Sequence, residues 1–282
     1  MREENSGTMI VSGPIGIIDA ALVRYLEDLK EGAGELLIHV AGSIYKEIIP
    51  MSHINEFLCE LSVVDGIIDD STHFERILRR SGGVLATFPT EELRRYSVDR
   101  ILKKIGIEIN KNSRSGPGRT KLAGLNDLVT LYGADPRERK TKFALVSGSF
   151  DLIHLGHVRY IKVAKKTADV VVVATMSTSS IKQQQKNIKG DRPIYSREDR
   201  VKVLSALRST DHVALFDELD CKEIIRTLKP DVFLKHEKDM PRQIVKEECE
   251  LVETLGGKII VTRDDVAYSS TDIIHHVRGI KR

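Results

Sequence analysis

In the second half of the chain the spacing of apolar residues changes period repeatedly, and each change predicts an element. Phe143 to Val146 is a short apolar run ending at Gly148, which reads as a strand followed by a tight turn. Between His157 and Ala168, Val158, Ile161 and Ala164 fall at helical spacing. The next stretch, DVVVVAT (Asp169 to Thr175), is too short and too β-branched for a helix and reads as a buried strand. The same reasoning places helices at Arg197 to Leu207, Cys221 to Leu228 and Arg242 to Leu255. It places strands at HVALF (His212 to Phe216), DVFLK (Asp231 to Lys235) and KIIVT (Lys258 to Thr262). Strand, helix, strand in succession implies right-handed parallel crossovers, so the expected fold class is α/β with a doubly wound, Rossmann-like parallel sheet. Upstream, Leu122, Leu125, Leu128, Val129 and Tyr132 recur at three- and four-residue steps, the stripe of a short amphipathic helix that leads into a charged hinge, PRERKTK.

The first half repeats the second. VSGPIGIIDAALVRYL, from Val11, aligns without a gap on VSGSFDLIHLGHVRYI, from Val146, a displacement of 135 positions. Farther along, Ser52 corresponds best to Ser196, so the first copy has lost about nine residues in between. With 282 residues against a usual 150 or so per domain, the expectation is two tandem domains, 1–111 and 142–282. Residues 112–141 would be a linker and connecting helix. The polar KNSRSGPGRT stretch (Lys111 to Thr120) reads as a loop, with a phosphate-cradling role as the lesser alternative.

Charge and cysteine content narrow the function. The 44 Lys and Arg against 41 Asp and Glu leave a net charge of +3, and the basic residues are scattered, so no nucleic-acid partner is indicated. Cys59, Cys221 and Cys249 form neither a disulfide framework nor a zinc spacing. No apolar run is long enough to span a membrane and no secretory signal opens the chain; a cytoplasmic location is expected.

The chemistry concentrates in GSFDLIHLGH, Gly148 to His157, where a strand runs into a helix. His154 and His157 are three residues apart at a helix mouth and can face one side, and Gly156 between them lets a ligand approach the backbone. The helix N-terminus adds free N–H groups and a positive dipole end, which favour a phosphate. The structural alternative is that both histidines cap and pack the turn.

These residues resemble the HxGH cytidylyltransferase-like nucleotidyltransferases over about Lys142 to Gly279. Besides GSFDLIHLGH, the segment KGDRPIYSREDR (Lys189 to Arg200) is similar to one in the adenylyltransferase domain of bifunctional ADP-heptose synthases. LKPDVFLK and YSSTDII (Tyr268 to Ile274) are similar to later family motifs. Glycerol-3-phosphate cytidylyltransferases share most of these features. The resemblance implies transfer of an NMP from an NTP, ATP slightly favoured over CTP, to a small phosphorylated acceptor, with pyrophosphate released and Mg²⁺ carried mainly by the NTP phosphates.

It also assigns roles. His154, His157 and Lys189 would be catalytic; Gly148, Ser149, Phe150, Asp151, Gly156, Lys186, Ser269, Ser270 and Thr271 would bind the nucleotide; Arg200 and Arg208 would meet the acceptor phosphate. Each has a plainer alternative: solvated loop for the lysines, ordinary N-caps for Ser270 and Thr271, turn closure for Asp151 and surface charge for the arginines. The chain departs from the ADP-heptose enzymes where they carry Gly-Gly-Asp after the late strand, having Lys235, His236 and Glu237 instead, and no kinase precedes the unit. In the first copy the HxGH positions hold Asp19, Ala20, Ala21 and Leu22, which predicts a degenerate domain. Family members commonly pair near this helix, so the expected partners beyond substrates are the two halves themselves, as an intramolecular pseudo-dimer, with a homodimer left open. The rival reading is a non-catalytic nucleotide-binding scaffold.

Overall fold

The computed structural model describes residues 8–15, 18, 20–31, 33, 35–43, 49–68, 84–87, 121–133, 135–184, 192–263, 266 and 268–277. The chain divides into two compact units, residues 1–119 together with 271–282, and residues 120–270. Both are α/β. No helix among the described residues is long and apolar enough to cross a membrane.

The second unit contains α3 (Leu125–Tyr132), β5 (Phe143–Gly148), α4 (Leu155–Thr167), β6 (Val170–Met176), α5 (Thr178–Gln184), α6 (Arg197–Ala206), β7 (His212–Phe216), α7 (Lys222–Leu228), β8 (Val232–His236), α8 (Gln243–Thr254) and β9 (Lys258–Thr262), and its last residue opens α9 (Ser270–Val277), whose other residues are counted with the first unit. Its five strands lie in the order β7-β6-β5-β8-β9, all parallel. The order reverses between β5 and β8, and the crevice at the carboxyl ends of such strands is where doubly wound sheets bind ligands. Strand β6 is buried along its whole length, which is why its sequence is a run of Val rather than an alternation. Helix α5 was not expected from the apolar spacing; buried Ser180 and Ile181 hold its first turn on the sheet.

Residues 120–141 correct the linker expectation, for they are integral to this unit. Val213 N–H donates to Lys121 O (2.8 Å) and Ala123 N–H to Val213 O (2.9 Å), so the segment docks along β7. Leu128 is fully buried, and the Tyr132 hydroxyl meets His212 Nε2 at 2.9 Å. The expected charged hinge is likewise fixed. Arg139 is buried, donates to the Leu228 and Lys229 carbonyls and to Asp231 (2.7 Å each), and stacks its guanidinium over Phe143.

The first unit contains β1 (Thr8–Ile15), α1 (Ala20–Glu31), β2 (Glu35–Ser43), α2 (Met51–Glu60), β3 (Gly66–Ile68) and β4 (Val84–Thr87), its strands parallel in the order β3-β2-β1-β4. By position within each unit, this is the order of the first four strands of the second sheet. The parallel extends to register and side chains. β1, α1 and β2 start 135 positions before β5, α4 and β6, and Val23 and Leu26 are buried as Val158 and Ile161 are. Asp65 accepts from the Leu36 N–H and pairs with Lys30; Asp211 accepts from the Val171 N–H and pairs with Lys165. Each carboxylate thus ties a strand start to the last turns of the preceding helix. Beyond β2 the displacement becomes 146: Met51 opens α2 as Arg197 opens α6, and the caps Leu61 and Leu207 both donate back three residues. Pro50, rather than Ser52, therefore stands at the position of Ser196, and eleven residues rather than nine are missing between.

Candidate active site

Strand β5 delivers the chain to the crevice, and seven residues later α4 begins. Phe150, in between, adopts a positive φ of 46° and is 1% exposed, so its ring lies beneath the turn, edge-on to His157 at 5.4 Å between centroids. A Cβ on Gly148 would come within 3.2 Å of that ring, which explains the glycine. Phe150 is thus a packing residue of the site, not a surface open to a nucleotide base.

The two histidines close the helix end on each other. His154 is the N-cap of α4; its Nδ1 accepts the Gly156 N–H (3.2 Å), while His157 Nδ1 accepts the His154 N–H (3.3 Å). This reciprocal cap satisfies two of the helix's orphan donors with imidazoles in place of the usual hydroxyl and carboxylate. Its chemical consequence is a tautomer. An Nδ1 that accepts carries no proton, so in each neutral ring the proton sits on Nε2, on the far side from the backbone. The rings lie 4.0 Å apart, tilted by 42°. Burial first, then the charges of Lys238, Arg192 and His236, pull the His154 pKa from 6.5 down to about 4, so the ring is a neutral N–H donor at pH 7. Capping and ligand donation are therefore compatible, since they use different nitrogens.

Asp151 is 1% exposed and closes the turn. It accepts from the N–H groups of Ile194 and Tyr195 (2.7 and 3.0 Å) and pairs with Arg192 Nε (3.0 Å), clamping the start of the RPIYS segment beneath the motif. Arg200 is also buried, at 1% exposure. Its Nη1 donates to the Ser149 carbonyl (2.8 Å) and Thr175 Oγ1 (2.7 Å), while Nε and Nη2 have no hydrogen-bond partner among the described residues. Burial lowers its pKa. The acceptor role expected for Arg200 is corrected: it braces the turn from behind.

Arg208 is exposed beyond the last turn of α6, near the amino end of β7. Ten helical residues, about 15 Å, separate that end from Ser196, so Arg208 lies toward the amino ends of the strands, away from the crevice at their carboxyl ends. Tyr268, by contrast, sets its ring 5.7 Å from that of His154, and the Ser270 hydroxyl donates to the Leu152 carbonyl (2.8 Å) at the start of α9. Ser269 and Thr271 flank Ser270 and are partly exposed. Gly156 is buried in the first turn of α4. Lys186 and Lys189 lie outside the described residues. No three His, Cys, Asp or Glu side chains among the described residues are grouped to hold a metal ion.

Sequence reasoning missed Lys235 and Arg192. Lys235, 6% exposed, bonds Ser147 Oγ (2.9 Å) and Glu248 (2.6 Å), and Glu248 accepts from the N–H and thiol of Cys221. Burial pushes the Cys221 thiol well above its ordinary pKa, which keeps it inert. The available signal was a lysine inside the apolar run VFLK, followed by a carboxylate on the apolar face of α8.

Residues 145–276 match the family model described as Cytidylyltransferase-like. The bifunctional protein HldE of Desulfatibacillum aliphaticivorans is 37% identical over 162 residues, 57% of this chain and 32% of that protein. That of Campylobacter fetus subsp. fetus is 34% identical over 178 residues, 61% and 34% respectively. The chain thus spans about a third of the length of these curated relatives. The solved lipopolysaccharide core biosynthesis protein of Thermoplasma volcanium GSS1 is 25% identical, covering 46% of this chain and 99% of that one with a TM-score of 0.37. Residues 145–276, just under half of the chain, are thus similar to a cytidylyltransferase-like domain.

Proposed function

We propose that the second unit transfers an NMP from an NTP to the phosphate of a small sugar phosphate, with ATP slightly favoured over CTP. The observation that carries this reading is the reciprocal cap at the mouth of α4, in which both imidazoles engage backbone through Nδ1 and burial holds His154 neutral at pH 7. In such a reaction an acceptor phosphate oxygen attacks the α-phosphorus, a new P–O bond forms, and the bond to the β-phosphate oxygen breaks as pyrophosphate leaves. The acceptor phosphate is already ionised at pH 7, so no base is required. What the site must supply is donors for the charge that gathers on the α-phosphate oxygens, and two Nε2–H groups beside a helix N-terminus supply them. Lys186 and Lys189 would add cationic donors, and Ser269 to Thr271 would hold the β- and γ-phosphates. Mg²⁺, with the phosphate oxygens as its ligands, would neutralise the leaving pyrophosphate.

The HldE relatives and the KGDRPI segment favour a sugar phosphate and ATP; glycerol or amino-alcohol phosphates with CTP are the alternative within the same chemistry. The first unit is, in this reading, a degenerate copy. Leu22, buried, stands where His157 would be, and buried Ile54 stands where Arg200 would be. One donor and the brace have been replaced by packing residues and the other donor by Asp19, while the Lys30–Asp65 tie persists. The test is pyrophosphate release from each of four NTPs with Mg²⁺ against a panel of sugar, glycerol and amino-alcohol phosphates. Release that requires both NTP and acceptor is the expected result. NTP binding with no release across the panel would overturn the assignment in favour of a nucleotide-binding scaffold.

A further inference from the structure

Both ends of the HxGH turn are fastened to a single neighbouring strand, β8. It pairs with β5 so that Val232, Phe233 and Leu234 stand beside Ala144, Leu145 and Val146. At the next step the contact passes to side chains: Lys235 Nζ donates to Ser147 Oγ (2.9 Å), one residue before the glycine at which β5 ends. On the far side of the turn the Tyr160 hydroxyl donates to the Leu234 carbonyl, which anchors α4 three residues beyond His157. Adjacent residues of β8 thus hold the strand that enters the turn and the helix that leaves it.

The lysine is an unusual choice for this contact, because burying its ammonium carries a desolvation cost. Glu248, itself buried, pairs with it at 2.6 Å, and the Phe233 ring centroid lies 4.5 Å from Nζ. A buried ion pair of this kind is often no more stabilising than apolar residues of the same size. The first unit supplies the comparison within the chain. There β4 runs beside β1 with Val84, Leu85 and Ala86 opposite Met9, Ile10 and Val11, and Thr87 stands opposite Ser12, the counterpart of Ser147. The serine is retained, and the tyrosine is retained as buried Tyr25, but the lysine is replaced. Strand pairing therefore does not require it. The lysine is lost together with the two histidines, whose places hold Asp19 and Leu22. Because Glu248 offsets its charge, what Lys235 contributes to the turn is geometry.

We propose that Lys235 is a positioning residue of the candidate active site: through Ser147 it sets where the chain leaves the sheet and so holds His154 and His157 in their reciprocal cap. The inference rests on the nucleotidyltransferase reading above and adds a residue to it. Lys235 acts without touching substrate. A loosened step at Ser147 and Gly148 would release the Nδ1 contacts that fix the tautomer of both rings.

The test uses the full-length protein and two variants, Ser147→Ala and Lys235→Met combined with Glu248→Gln. The first removes the contact and leaves the buried pair in place; the second removes the pair without stranding a buried carboxylate. Pyrophosphate release would be measured with each substrate varied in turn. The tautomers would be read by long-range proton–nitrogen NMR of the imidazoles, assigned through His154→Asn and His157→Ala. In both variants kcat should fall about tenfold, the scale of one hydrogen bond, with each KM within about twofold. Combining all three substitutions should lower kcat no further, since lysine and serine act through one contact. The ring spectra should change from a single Nε2–H form to a mixture of tautomers. A merely structural role would lower the urea midpoint while kcat and the ring spectra of the folded variants matched wild type; that result overturns the proposal and leaves the proposed function standing. Should the Lys235→Met, Glu248→Gln protein fail to fold, Ser147→Ala decides alone by the same readouts. If the wild type releases no pyrophosphate, the proposed function fails and the ring spectra decide: mixed tautomers in the variants support the positioning role, and wild-type spectra overturn it.

Discussion

Acid should destabilise this protein through His154, by an amount the site geometry sets. The ring's pKa is about 4 in the folded chain against 6.5 in an unfolded one, so between those values the unfolded state binds more protons than the folded state. Stability is therefore unaffected by this residue above pH 7, is lost as pH falls through 6.5, and stops changing below about 4. Integrated from pH 7 to pH 5, the loss is at most about 2 kcal/mol. The cause is structural: a proton on Nδ1 would face the Gly156 N–H, and a charged ring would be partly buried among Arg192, His236 and Lys238. His154→Asn removes the titration yet keeps an N-cap acceptor. Urea unfolding at pH 7 and pH 5 would be followed through the reactivity of buried Cys221 toward an aromatic disulfide that reacts at acid pH. Wild type should lose about 2 kcal/mol more than His154→Asn between the two pH values. Equal losses, or a His154 ring that titrates near 6.5 by NMR, would refute the reasoning.

Other consequences are equally direct. His157→Ala should lower kcat at least about a hundredfold, the scale of one preorganised donor, with little change in unfolding midpoint. Lys235→Met leaves the Glu248 carboxylate buried beside Cys221 and should cost about 3–5 kcal/mol, read as faster amide exchange in β8; adding Glu248→Gln should restore part of that loss. In Gly257→Ala the new methyl would lie 2.4 Å from the Pro230 carbonyl oxygen and 2.7 Å from Val252 Cγ1, so a loss of about 1–3 kcal/mol is expected on thermal or urea unfolding.

Periodicity determined the alternation of strands and helices in the second unit apart from the short α5, because a fully buried parallel strand such as DVVVVAT and an amphipathic helix such as that of Val158, Ile161 and Ala164 leave different local signatures. The HxGH turn was legible for the same reason: its histidines, glycine and helix start are neighbours in sequence. The repeat was legible through its strand and helix cores, although the position of its gap was not, since Pro50 and Ser196 share a place in the fold and no chemistry. Tertiary structure decided everything that depends on partners distant in sequence. Arg200 lies 51 residues from the Ser149 carbonyl it braces, and Asp151 lies 41 residues from the Arg192 it clamps. Arg200 and Arg208 look alike in sequence as basic positions on one segment. Only packing makes the first an internal brace and leaves the second exposed near the amino end of β7. Lys235 and Glu248 read as isolated charges until β8 and α8 are set together, whereupon each supplies the counter-charge without which neither could be buried.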